Sequence, residues 1–132
     1  MTALDTNVIV RFLVRDDEKQ ARLVHARFKQ AEAVRETFFI PLPVVLETIW
    51  VLESVYDTPR KAILEALDEL KDMPVLEFEK PQVLQQLLED GRSSRADLSD
   101  LLIGAAAQAC HCEGCLTFDR KAARHPFFRL LA

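Results

Sequence analysis

Apolar positions along the chain alternate between short unbroken runs and longer stretches with a helical repeat. Ala3 and Leu4 precede Asp5, Thr6 and Asn7, and an apolar block of Val8, Ile9, Val10, Phe12, Leu13 and Val14 follows. Asp, Thr and Asn all favour a helix start, so the pattern predicts a strand ending near Asp5 and a helix from about Asn7. Asp16 and Asp17 predict the cap of a second helix reaching about Val34, with Ala21, Val24, Phe28 and Ala31 on one face. Residues 37–40 predict a short buried strand stopped by Pro41, and Pro43 suits the first turn of a helix reaching about Tyr56. Thr58 and Pro59 restart a helix with Ile63, Leu67 and Leu70 on one face, ended by Pro74. Beyond it the pattern predicts a strand at 75–78, a helix at 81–90, a polar loop at 91–95 and a helix from Asp97 to about His111, ended by Gly114. A strand at 115–118, a short basic helix at 120–124 and a last strand within 127–131 complete the series.

Strands alternating with helices over the whole length predict an α/β fold. Parallel neighbours require crossover helices, so the expected architecture is one domain over 1–132 with a mainly parallel central sheet flanked by helices (α/β/α). Ligands of such sheets collect at the carboxyl ends of the strands, where Asp5 and Asp119 are the first acids.

The composition, 49% hydrophobic with three Gly and six Pro in 132 residues, fits a helix-rich globule that needs no staple. The longest apolar region, 38–52, is interrupted by Pro41, Pro43 and Glu47 and falls short of the ~20 residues that span a bilayer. With no basic-then-apolar leader at the start, the expected location is cytoplasmic. A formal net charge of −4 argues against holding nucleic acid by bulk positive charge, so any such contact is local. Arg11, Arg15, Arg92, Arg95, Arg120, Lys121 and Arg124 recur beside acids, as phosphate contacts or as solvated faces.

Cys110, His111, Cys112 and Cys115 are close together, yet a structural zinc site needs a second, separated ligand pair, which the sequence lacks. Cys115 is expected to be a small core residue. His25, His111 and His125 have no catalytic pattern around them.

Four acids stand beside or within apolar segments. Asp5 serves equally as helix cap or metal ligand. Glu47 is the only charged residue between Thr37 and Leu52, in a helix expected to be buried nearly all round, where a structural ion pair competes with ligation. Asp97 and Asp100 share one face of a first helical turn, which also fits ordinary capping, and Asp119 closes an apolar run where it too fits a cap. Together they bring acids from separate segments to one sheet edge. Carboxylates clustered in this way repel, and bound Mg²⁺ or Mn²⁺ removes that penalty.

The segments Leu4-Asp5-Thr6-Asn7-Val8-Ile9-Val10-Arg11, Pro43-Val44-Val45-Leu46-Glu47, Asp97 through Ala106, and Leu116-Thr117-Phe118-Asp119-Arg120 resemble the successive motifs of PIN-domain ribonucleases, and most closely the VapC-type toxins of toxin–antitoxin pairs. The resemblance implies a metal centre on Asp5, Glu47, Asp100 and Asp119, with Asp97 as an accessory and Thr6 and Asn7 orienting the first acid. It further implies an endoribonuclease using Mg²⁺ (or Mn²⁺), with a metal-activated water attacking an RNA phosphodiester in line. A homodimer and a cognate antitoxin protein that covers the acids are the implied partners. Two other readings stand beside it. One is a catalytically silent PIN-like module that binds RNA or a partner. The other is an aspartyl-phosphate hydrolase, disfavoured because Asn7 stands where it would need a second acid.

Overall fold

The computed structural model describes residues 1–131, in which six helices and five short strands alternate and every strand pair is parallel. This is the expected α/β class. The chain divides into two compact units, the first spanning Met1–Glu79 and the second beginning at Lys80.

In the first unit, β1 (Thr2–Ala3) pairs with β2 (Phe38–Ile40), and β2 with β3 (Leu76–Phe78), in the order β1-β2-β3. Thr2 lies opposite Phe38, and Phe38 opposite Leu76. Both crossovers are helical, as parallel pairing demands. The first consists of α1 (Thr6–Leu13) and α2 (Glu18–Val34), and the second of α3 (Leu42–Ser54) and α4 (Arg60–Lys71). Helix α1 begins one residue earlier than expected because Asp5 itself is the cap. Asp17 caps α2 by accepting from the Gln20 amide, and Arg35 ends it in the left-handed region at φ 57°. Helix α3 has no cap of its own at Pro41; Glu79 Oε1 accepts from the Leu42 amide instead, at 2.8 Å. Ile9, Phe28, Ile40, Ile49, Ile63 and Leu67 are buried, each burial stabilising by about 1.5–3 kcal/mol.

Helix α3 departs from its expected all-round burial. Val44, Val45, Thr48, Ile49 and Leu52 form the buried stripe, while Leu46, Glu47 and Trp50 are exposed. The helix is amphipathic by position rather than by residue type, so composition alone overstated its burial.

In the second unit, α5 (Pro81–Ser93) packs on α6 (Leu98–Ala109), and β4 (Cys115–Thr117) pairs with β5 (Phe128–Leu130). Helix α5 runs through Gly91 to Ser93, where a polar loop was expected. Gly91 continues the buried stripe of Leu84, Leu87 and Leu88 at helical spacing, so burial outweighs glycine's low helix propensity. Gly104 permits the close approach of Phe128, whose ring would lie 2.9 Å from an added Cβ. The expected basic helix after Asp119 is only a single 3₁₀ turn, Ala122–Arg124. Cys115 is half-buried rather than a core residue, and Cys110 and Cys112 are exposed. No helix among the described residues is long and apolar enough to cross a membrane.

Candidate functional site

Asp5 stands just past β1 and opens α1. Its Oδ1 accepts from the Thr6 amide at 2.8 Å, and its side chain is otherwise exposed. Parallel pairing of β1 with β2 delivers this acid to the carboxyl end of the strand, and α3 supplies Glu47. Both acids line one cavity of about 240 Å³ with Thr6, Asn7, Arg11 and Tyr56. Thr6 is buried, and its Oγ1 has no hydrogen-bond partner among the described residues.

The rim of that cavity is held by a network that links distant parts of the unit. Arg11 Nε donates to Gln20 Oε1 at 2.6 Å, and Nη1 donates to Tyr56 Oη at 3.2 Å and to Asp16 Oδ1 at 3.3 Å. Tyr56 Oη in turn donates to Asp16 Oδ2 at 2.8 Å. Tyr56 is a site residue that the sequence reading missed. Its only signal is that it is the chain's single tyrosine, at the end of an apolar helix where its hydroxyl needs a partner.

The second unit gathers the other acids. Asp97 occupies the cap position of α6, yet its side chain makes no capping hydrogen bond and accepts instead from Lys121 Nζ at 3.0 Å. Asp100 is half-buried in the first turn of α6. Asp119 follows β4 after Phe118, and its Oδ1 accepts from the amides of Lys121 at 2.8 Å and Ala122 at 3.1 Å. Its own amide donates to Thr117 Oγ1. One carboxylate oxygen from each of Asp97, Asp100 and Asp119 lies within 4.8 Å of the others.

Electrostatics registers the crowding. Burial first, and then the charges of Asp119 and Asp97, raise the Asp100 pKa above the ordinary carboxylate value, with Lys121 pulling the other way. Lys121 thus has two roles. Its backbone fixes Asp119, and its ammonium neutralises part of the cluster.

The donor set fits a hard divalent cation. It offers only carboxylate oxygens, one from each of three residues. Each predicted acid is therefore placed: Asp5 and Glu47 share a cavity wall in the first unit, and Asp97, Asp100 and Asp119 form a cluster in the second.

A family model described as the PIN domain matches residues 2–127. The chain is 22% identical over 121 residues to a VapC ribonuclease of Aquifex aeolicus (strain VF5), a similarity covering 92% of this chain and 89% of that protein. No solved structure matches the chain at a significant level.

Proposed function

The chain belongs to the PIN-domain family, and on that premise we propose that it is a metal-dependent endoribonuclease, the toxin of a toxin–antitoxin pair. The observation that carries this reading is the convergence of Asp97, Asp100 and Asp119 within 4.8 Å, held by residues that leave carboxylate oxygens available. The similarity to a VapC ribonuclease supports RNA as substrate and an antitoxin as partner; the homodimer rests on the motif resemblance alone. The family match runs through the boundary between the two units, which supports one PIN domain over 1–132.

In this reading Asp5, Glu47, Asp100 and Asp119 are the catalytic acids and Asp97 is an accessory ligand for Mg²⁺ or Mn²⁺. When bound, the ion supplies Lewis-acid stabilisation of phosphoryl charge and a deprotonated water at neutral pH. The chain's own residues position and neutralise. Asp119 is pinned by two backbone amides, so its free oxygen has a fixed direction. Asp100 holds its proton more tightly than an ordinary carboxyl until a cation replaces it. Lys121 must give up Asp97 when that acid ligates, which frees an ammonium beside an anionic substrate.

The test incubates the purified chain with single-stranded RNA in Mg²⁺ or Mn²⁺, and in excess chelator. Cleavage with metal, leaving 5′-phosphate and 3′-hydroxyl ends, is the expected result. Cleavage undiminished by chelator, or none with either ion, refutes the reading.

A further inference from the structure

Most arginines with a described side-chain contact are answered by an acid or another hydrogen-bond acceptor. Arg11 meets Asp16 and Tyr56, and Arg27 forks onto Glu36. Arg22, Arg35, Arg95, Arg120 and Arg124 have no such partner among the described residues, and of these Arg95 and Arg124 share one cavity. Both are exposed, and neither guanidinium has a hydrogen bond or ion pair among the described residues. They line the same open cavity of about 440 Å³, with Ser93, Ser94 and His125, and no acid lines it.

Asp90, the acid that faces His125, is already engaged. Asp90 accepts from Gln86 at 3.0 Å and lies 3.5 Å from His125 Nε2. His125 Nδ1 accepts from the Phe127 amide, so its ring carries its proton on Nε2, toward Asp90. Two like charges on one cavity wall repel, and no acid lines that wall to offset them. An anion does so, and paired guanidinium forks with neighbouring hydroxyls suit phosphate oxygens in particular. No Phe, Tyr or Trp lines the cavity, and its one ring, His125, already meets Asp90 and the Phe127 amide, so the contact is to backbone rather than to stacked bases. In a chain of net charge −4, a local patch of this kind is how an RNA backbone can be held.

Position along the chain gives the patch its role. Arg95 comes two residues before Asp97, and Arg124 five residues after Asp119, so the segments that deliver the acid cluster also deliver the arginines. We propose that the Arg95–Arg124 cavity binds the phosphodiester backbone of single-stranded RNA, seating a phosphate that flanks the one cleaved. This rests on the ribonuclease reading above.

The experiment measures fluorescence anisotropy of a labelled single-stranded oligoribonucleotide on the full chain in chelator, across a salt series. Arg95→Ala/Arg124→Ala should bind about 10- to 30-fold more weakly at 0.1 M salt, with a slope of log K against log salt shallower by about 1.4. Arg95→Lys/Arg124→Lys should keep most of the slope, because the charges remain. Both variants should melt within about a degree of the wild type, as neither guanidinium bonds to the protein. Wild-type affinity and slope in the double alanine variant, while the wild type cleaves RNA, overturns this inference alone. Competition by polyglutamate as effective as by RNA, charge for charge, would make the site one for acidic protein and overturns it too. A wild type that neither binds nor cleaves RNA refutes the ribonuclease reading, and this inference with it.

Discussion

Asp100→Asn removes one charge from a cluster of three acids, and the geometry sets how much that is worth in metal-free protein. Two unit charges 4.8 Å apart repel by about 0.9 kcal/mol in bulk water and by roughly 3.5 kcal/mol at an effective dielectric near 20. Asp97 is exposed and Asp100 only half-buried, so the solvent-screened end of that range applies. The substitution abolishes two such repulsions, from Asp97 and Asp119, and one attraction to Lys121. The net gain is about 1 kcal/mol, a rise in Tm of roughly 4 °C for a chain of this size. The pH dependence has a definite sign. Because the folded-state pKa of Asp100 is raised above the ordinary carboxyl value of 3.8, the folded chain binds this proton more tightly than the unfolded one. Its contribution to stability is therefore greatest below 3.8 and falls as pH rises through the raised pKa. Scanning calorimetry in chelator should show the variant more stable than wild type at pH 7 and level with it under acid conditions where Asp100 is protonated in both states. Added Mg²⁺ should raise the wild-type Tm and leave the variant's almost unmoved. A variant less stable than wild type in chelator at neutral pH would show that Asp100 is a structural helix-start acid, and the clustering argument would fail.

Three further outcomes follow from particular contacts. Asp97→Asn should shift stability by less than about 1 kcal/mol in either direction by urea melt, because its side chain caps nothing and its exposed pair with Lys121 is offset by its repulsion from Asp100 and Asp119; cleavage should persist at raised Mg²⁺, and complete inactivity at saturating metal would make Asp97 a principal ligand. Lys121→Met should bind Mn²⁺ more tightly by titration calorimetry at low salt, since a competing cation is gone, whereas weaker binding would mean that the ammonium organises the acids rather than opposing the ion. Gly104→Ala should destabilise by about 1–3 kcal/mol, because its Cβ meets the Phe128 ring at 2.9 Å; a neutral result in denaturant melts would show that the ring swings clear.

What the sequence disclosed is what depends on local order along the chain. An apolar run followed by Asp5, or by Asp119, marks a strand end whatever lies elsewhere, and the alternation of such runs with helical stretches implies parallel pairing. The three-residue spacing of Asp97 and Asp100 likewise places them on one helical face before any coordinate is known. The contacts that escaped are those between residues far apart in sequence. Nothing near Asp97 announces that Lys121, 24 positions on, takes its carboxylate away from capping. Nothing near Arg11 points to Tyr56, 45 positions away. Gly91 and Glu47 misled for a related reason, because residue type suggested a loop and a buried acid, whereas the position of each on its helix decides its burial.

The bond from Lys121 to Asp97 bears on the order of events in the life of the chain. An ammonium tethered to the backbone accompanies the acids from synthesis onward, and it loses little translational freedom when it settles among them. The newly made protein therefore carries a resident stand-in for an ion and can complete its second unit before any ion is captured. On the proposed function, fluctuations in the supply of free divalent cations would then govern how much of the population is active, and not how much of it survives to be folded.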